Sequence, residues 1–292
     1  MQKELNPKTS PRETPEEYCR RVTRERAKNF YWAIITLPRE KRNSVYSIYS
    51  FARVVDDIAD SELPVEEKRR RLEGQRGKID RAYSGASEEK LYRALAETIA
   101  KFGVPRRYFN QLIDGVEMDL VKSTYETFAD LKVYCYRVAS VVGLILIEVF
   151  EYDDEEAKKY AVDLGIGMQL TNIIRDVAED YERGRIYLPR EDLERFGCDF
   201  SDLGKGYRPT EFKNLMDFEA NRAREYFESG KKLFPYLSIR VRACPAGLYG
   251  VYSNLLTEME NSEWDVWEKR ASLPTLKKIN AVFGQWFTAL RS

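Results

Sequence analysis

Apolar positions recur along most of this chain at intervals of three and four, the spacing that lines one face of an α-helix. The stretches that carry this pattern end at proline, glycine or acidic breaks. These fall at Leu37-Pro38, Leu63-Pro64, Ser84-Gly85, Gly103-Val104-Pro105, Asp153-Asp154, Leu188-Pro189, between Gly197 and Pro209, at Phe234-Pro235 and at Leu273-Pro274. Between them lie segments of roughly 15–25 residues, the length of core helices in a large bundle. Residues 1–14 are polar, contain two prolines and read as a loose arm. Pro15 followed by Glu16 and Glu17 suits a first helical turn, where proline is tolerated and acids face the positive end of the dipole. No alternating strand pattern bounded by turns, no fixed-period repeat and no linker stands out. The pattern predicts an all-α fold, a single helical domain over residues 15–292.

Two of these segments carry polar ridges. In Val45–Asp60 (VYSIYSFARVVDDIAD), Tyr49, Arg53, Asp56 and Asp60 stand at i, i+4, i+7 and i+11, on one helical face. In Leu164–Asp180 (LGIGMQLTNIIRDVAED), Gln169, Asn172, Asp176 and Asp180 do the same at i, i+3, i+7 and i+11. A lone DxxxD is usually a solvated face. The second ridge argues otherwise, because Ile166, Met168, Leu170, Ile173 and Ile174 make that helix apolar on many sides, which predicts burial. Amides buried there would each cost on the order of 1–3 kcal/mol unless bonded or coordinated. Two facing ridges would form an oxygen cage, the environment that Mg²⁺ prefers, with phosphate oxygens completing its shell.

Composition narrows the chemistry. The 292 residues are 43% hydrophobic and 13% aromatic, enough for a sizeable core. Lys plus Arg and Asp plus Glu are 48 each, so the net charge is zero and nucleic acid is not an expected partner. Histidine is absent, which excludes Ser-His-Asp and Cys-His catalysis and imidazole zinc sites. Cys19, Cys135, Cys198 and Cys244 are scattered, with no CxxC pair, and read as reduced thiols of a cytoplasmic protein. The polar start predicts no signal peptide. The run Val138–Phe150 reads as too short to span a bilayer.

The stretches FARVVDDIAD, YCYRVASVVGL and LGIGMQLTNIIRDVAEDYERGRIYLPREDL resemble the squalene/phytoene synthase family. The resemblance runs from about Tyr18 to about Leu290. It implies an all-α bundle of the isoprenoid-synthase type with a central cavity, two prenyl diphosphate substrates and Mg²⁺. The segments IDGVEMDL and RASLPTLKKINAVFGQWF look most like bacterial presqualene diphosphate synthases of hopanoid pathways. By motif, Asp56, Asp60, Asn172, Asp176 and Asp180 correspond to metal ligands. Lys28, Asn29, Phe30, Tyr49, Arg53, Gln169, Arg175, Arg185, Tyr187 and Tyr252 correspond to substrate contacts, and Tyr136 joins Arg53 and the acids as a catalytic position. Asn29 departs from the serine usual there, although asparagine can also donate to phosphate.

Such chemistry suits these residue types. An allylic diphosphate ionises when its leaving group is neutralised, and arginine grips phosphate with paired donors. The allyl cation must then be kept from water in an apolar, aromatic channel. Tyr134–Phe150 suits that role, with Ala139, Ser140 and Gly143 leaving room for a chain, and suits close helix packing equally well. Without histidine, the proton lost on cyclopropane closure goes to the released diphosphate or to a tyrosine acting through it. The reading is a head-to-head condensation of two farnesyl diphosphates to presqualene diphosphate, with no NADPH. Its amphipathic product would pass to a downstream enzyme, and peripheral membrane association is left open. The alternatives are a phytoene or dehydrosqualene synthase and a non-catalytic helical binding protein.

Overall fold

The computed structural model describes residues 13–27, 30–199, 210–266 and 270–289. Among these residues the chain is helical throughout, with two isolated bridges and no strand. The helices are α1 (Pro15–Arg26), α2 (Tyr31–Ile34), α3 (Arg39–Ala59), α4 (Val65–Tyr83), α5 (Lys90–Phe102), α6 (Arg106–Met118), α7 (Phe128–Cys135), α8 (Val141–Phe150), α9 (Ala157–Glu182), α10 (Arg190–Arg195), α11 (Thr210–Gly230), α12 (Ile239–Asn261) and α13 (Thr275–Ala289).

Local chemistry sets the ends. The Thr14 hydroxyl accepts from the Glu17 amide at 3.2 Å while the Glu17 carboxylate accepts from the Thr14 amide at 2.9 Å, a capping box. Glu13 pairs with Arg21 at 2.9 Å, so these last two residues of the expected loose arm belong to the start of α1. Thr127 and Asp130 cap α7 in the same way. Pro38, Pro64, Pro105 and Pro189 each stand just before a helix. Gly103 closes α5 with φ 63°, a left-handed conformation that glycine adopts without strain.

The central helix is α7 and α8, continuous through a π-turn at Tyr136–Ser140. Its full run, Phe128–Phe150, is 23 residues long and apolar enough to cross a membrane. The sequence reading took only Val138–Phe150 and judged it too short. Here the helix packs against α3, α6 and α9, the position of a core helix.

The small residues on this helix serve packing. A Cβ on Gly165 would stand 2.6 Å from the Ser140 Cα, and one on Gly143 would stand 3.0 Å from the Ala161 carbonyl oxygen. The Ser140 hydroxyl donates to the Val162 carbonyl at 2.7 Å. Ser140 and Gly143 therefore seat α9 against the central helix and do not open a channel, which settles that choice for these two positions. Gly167 lies against Phe227, and Gly230 against Leu164, drawing α11 onto the far side of α9. The central helix thus packs against both α3 and α9, the two helices that carry the ridges.

Candidate active site

On α3, Arg53 donates to Asp57 one turn later, while its Nε is buried with no hydrogen-bond partner among the described residues. Among the described residues the Asp56 carboxylate has no hydrogen bond or ion pair. Burial pushes its pKa up to about 7, Arg53 drawing it back only in part. Asp60, which ends the helix, pairs with Arg185 at 3.3 Å and Arg183 at 3.8 Å.

The second ridge repeats this division. Burial would raise the Asp176 pKa, but two guanidiniums outweigh it and hold it below the ordinary value. Arg175 Nε lies 2.8 Å from one Asp176 oxygen, and Arg270 binds both oxygens at 2.8 and 3.0 Å. Among the described residues the Asp180 side chain has no hydrogen bond or ion pair, and burial together with the Asp176 charge lifts its pKa to about 7. The Asn172 amide donates to Gln169 Oε1 at 3.3 Å. Asn172 Oδ1 is buried and accepts no hydrogen bond of standard geometry, although the Tyr252 phenol is close enough to interact with that side chain.

Aromatic rings join the ridges. Phe30 stands 6.1 Å from Tyr49 on α3 and 5.9 Å from Tyr252 on α12, and Tyr252 in turn adjoins Asn172, Arg175 and Asp176. Arg185 completes the link on the other side, crossing from the segment after α9 to Asp60. Arg185, Tyr187 and Leu188 fold back over Ile173, Val177 and Asp180, enclosing a small cavity. The structure therefore gathers Phe30, Tyr49, Arg53, Asp56, Asp60, Asn172, Arg175, Asp176, Asp180, Arg185, Tyr187 and Tyr252 at one end of the bundle. Lys28 and Asn29 lie outside the described residues. Tyr136 opens the π-turn, and its hydroxyl forms no hydrogen bond among the described residues.

Among the described residues no three acidic side chains stand close enough to hold an ion by themselves, so the ridges do not form a cage of protein oxygens alone. That still suits Mg²⁺, which takes one or two carboxylates and fills its shell with water and phosphate oxygens. The bare Asp56 and Asp180 carboxylates and the orphaned Asn172 oxygen are hard donors without partners. The residues present fit such an ion.

The sequence reading missed three side chains here. Asp57 takes Arg53 through an i, i+4 pair visible in the sequence. Arg270 comes from 94 residues beyond Asp176 and carries no local signal. Asp119 is half-buried and accepts from Tyr134 and Tyr187.

Comparison with known proteins identifies the family and the fold. The squalene/phytoene synthase family profile matches residues 23–277. The phytoene synthase of Mycobacterium tuberculosis is 38% identical over 260 residues, covering 88% of this chain and 85% of its own. A ligand-bound dehydrosqualene synthase superposes with a TM-score of 0.89 at 28% identity, covering 95% of this chain and 97% of its own. The squalene synthase HpnC of Alicyclobacillus acidocaldarius superposes at 0.80 with 29% identity, covering 86% and 95%. With residues 23–277 matched by the family profile and relatives covering most of its length, the chain belongs to the squalene/phytoene synthase family of prenyltransferases.

Proposed function

We propose that this enzyme joins two farnesyl diphosphates head to head (1′-1) and releases presqualene diphosphate. One observation carries the reading. Each acid ridge has its own arginines, Arg53 and Arg185 on one side and Arg175 and Arg270 on the other. Two separately counter-charged poles, linked by Arg185 and Phe30, suit two diphosphates, one of which must ionise. Arg270 lies at the start of the RASLPTLKKI segment, whose resemblance is to the presqualene diphosphate type.

Asp56, Asp60, Asn172, Asp176 and Asp180 would hold Mg²⁺, which when bound neutralises the leaving diphosphate. Arg53, with its unpartnered Nε, offers a donor to the same phosphate oxygens. Tyr49, Phe30 and Tyr252 present ring faces beside the reacting carbons, where they exclude water and stabilise positive charge. The amphipathic product suits release to a downstream enzyme, and on this reading the protein works in the cytoplasm at the inner membrane surface.

The test is product analysis with farnesyl or geranylgeranyl diphosphate, with and without NADPH. Presqualene alcohol seen by mass spectrometry only after phosphatase treatment is the expected result, and added NADPH should change nothing. A second reading, phytoene synthase, is favoured by the identity to the mycobacterial enzyme. A C40 hydrocarbon from geranylgeranyl diphosphate would establish it and remove the first. Squalene formed only with NADPH would remove both.

A further inference from the structure

Behind the Arg185–Asp60 bridge lies a network that the proposed mechanism does not use. Asp119 caps the C-terminal end of α6. Its Oδ1 accepts from the Tyr187 hydroxyl at 2.8 Å and its Oδ2 from the Tyr134 hydroxyl at 3.0 Å. The two hydroxyls are 3.3 Å apart. The Tyr134 and Tyr187 rings stack with centroids 5.0 Å apart, and Tyr125 packs on both at 5.7 and 5.9 Å. Tyr187 is two residues from Arg185, and the segment is pinned further by the Ile186 amide donating to the Ser123 carbonyl at 2.7 Å. The Asp119 carboxylate also lies within electrostatic range of Arg185, Asp60 and Asp56. One half-buried acid thus ties α6, the central helix and the segment after α9, and places a negative charge behind Arg185.

We infer that Asp119 is a positioning residue: it fixes Tyr187 and Arg185 so that the Arg185 guanidinium stays aimed at Asp60 and the diphosphate that binds there. The phenol bonds set the direction of the Arg185–Tyr187 segment. The charge keeps the guanidinium from swinging into solvent, since Arg185 then lies between two carboxylates. Partners of this kind, acting through the residues that touch the ligand, change affinity or activity about 10–100-fold. The inference rests on the proposed diphosphate site.

The experiment compares Asp119→Asn, Arg185→Gln and the double variant in two readouts. One is kcat and KM on farnesyl diphosphate. The other is calorimetric binding of inorganic diphosphate with Mg²⁺, which needs no turnover. Asp119→Asn should weaken diphosphate binding and lower kcat/KM about 10–100-fold, with its folded circular dichroism unchanged. Because Asp119 acts through Arg185, the double variant should be little worse than the poorer single one. Losses that multiply, or wild-type binding in Asp119→Asn, overturn the inference. If Asp119→Asn does not fold, Tyr187→Phe paired with Arg185→Gln carries the same test, and independent losses there also overturn it. Wild-type protein that binds no inorganic diphosphate with Mg²⁺ would instead sink the diphosphate site itself.

Discussion

Replacing Asp56 with asparagine should stabilise the metal-free protein while removing its turnover. The Asp56 carboxyl is half-buried with no ion-pair partner among the described residues, and its pKa rises from 3.8 to about 7. An acid whose folded pKa is raised binds its proton more tightly in the native state. Stability therefore increases as pH falls, and the penalty is fully present only above the folded value. Roughly three units at about 1.4 kcal/mol each set an upper bound of ~4 kcal/mol above pH 7. Solvent reaching the half-buried group reduces this to about 1–3 kcal/mol. Asparagine keeps the shape and drops the charge. For a chain of this size the melting temperature should rise by roughly 2–5 °C. The assay is thermal melting in EDTA at pH 8 and pH 5. The gain should be clear at pH 8 and smaller at pH 5, where more of the wild-type acid carries its proton in the folded state. Turnover with Mg²⁺ should fall at least about 100-fold, the scale of losing a major electrostatic stabiliser. An Asp56→Asn protein that melts at or below the wild-type temperature at pH 8 would refute the reasoning.

Activity on a prenyl diphosphate should vanish in EDTA and return with Mg²⁺, and Asp176→Asn should lower kcat at least about 100-fold in the same assay. Gly165→Ala should destabilise by about 1–3 kcal/mol in a denaturant melt, because its new methyl meets the Ser140 backbone at 2.6 Å. Arg222→Ala should cost about 3–5 kcal/mol, since it strands Asp192 and Glu219, which it binds at 2.8 Å and whose side chains are 5% and 2% exposed. A melt within 1 °C of wild type in either variant would contradict that packing.

Much of the fold was legible because its punctuation is local. Pro38, Pro64, Pro105 and Pro189 cannot continue a helix from the preceding turn, and they stand just before the helices that follow. The ridges were legible for the same reason, since Asp56 and Asp60 share a face by helical period alone. What escaped was set by distant neighbours. Arg270 reaches Asp176, and Arg185 reaches Asp60, across 94 and 125 residues. Ser140 and Gly143 could have lined a channel or seated a helix. Only the Ala161 carbonyl and the Val162 carbonyl facing them decide for packing. The length of the central helix escaped because Tyr136–Ser140 continues it as a π-turn, an irregularity that apolar periodicity does not announce.

The two ridges share a pattern finer than their acid spacing. In each, one carboxylate is held by arginine (Asp60 by Arg185, Asp176 by Arg175 and Arg270) and another, Asp56 or Asp180, is left bare with a raised pKa. Bare buried acids destabilise the folded state, so a ridge built for stability alone would pair all of them or none. On the proposed function the division has a use. The bare acids would hold a divalent ion without displacing a salt bridge, and the arginines beside them offer donors to phosphate oxygens. The arginines would then neutralise carboxylate in the empty site and diphosphate in the loaded one. Arg185 and Arg270 reach these acids from segments outside the ridge helices, so each adds its charge without belonging to the helix that presents the ligands.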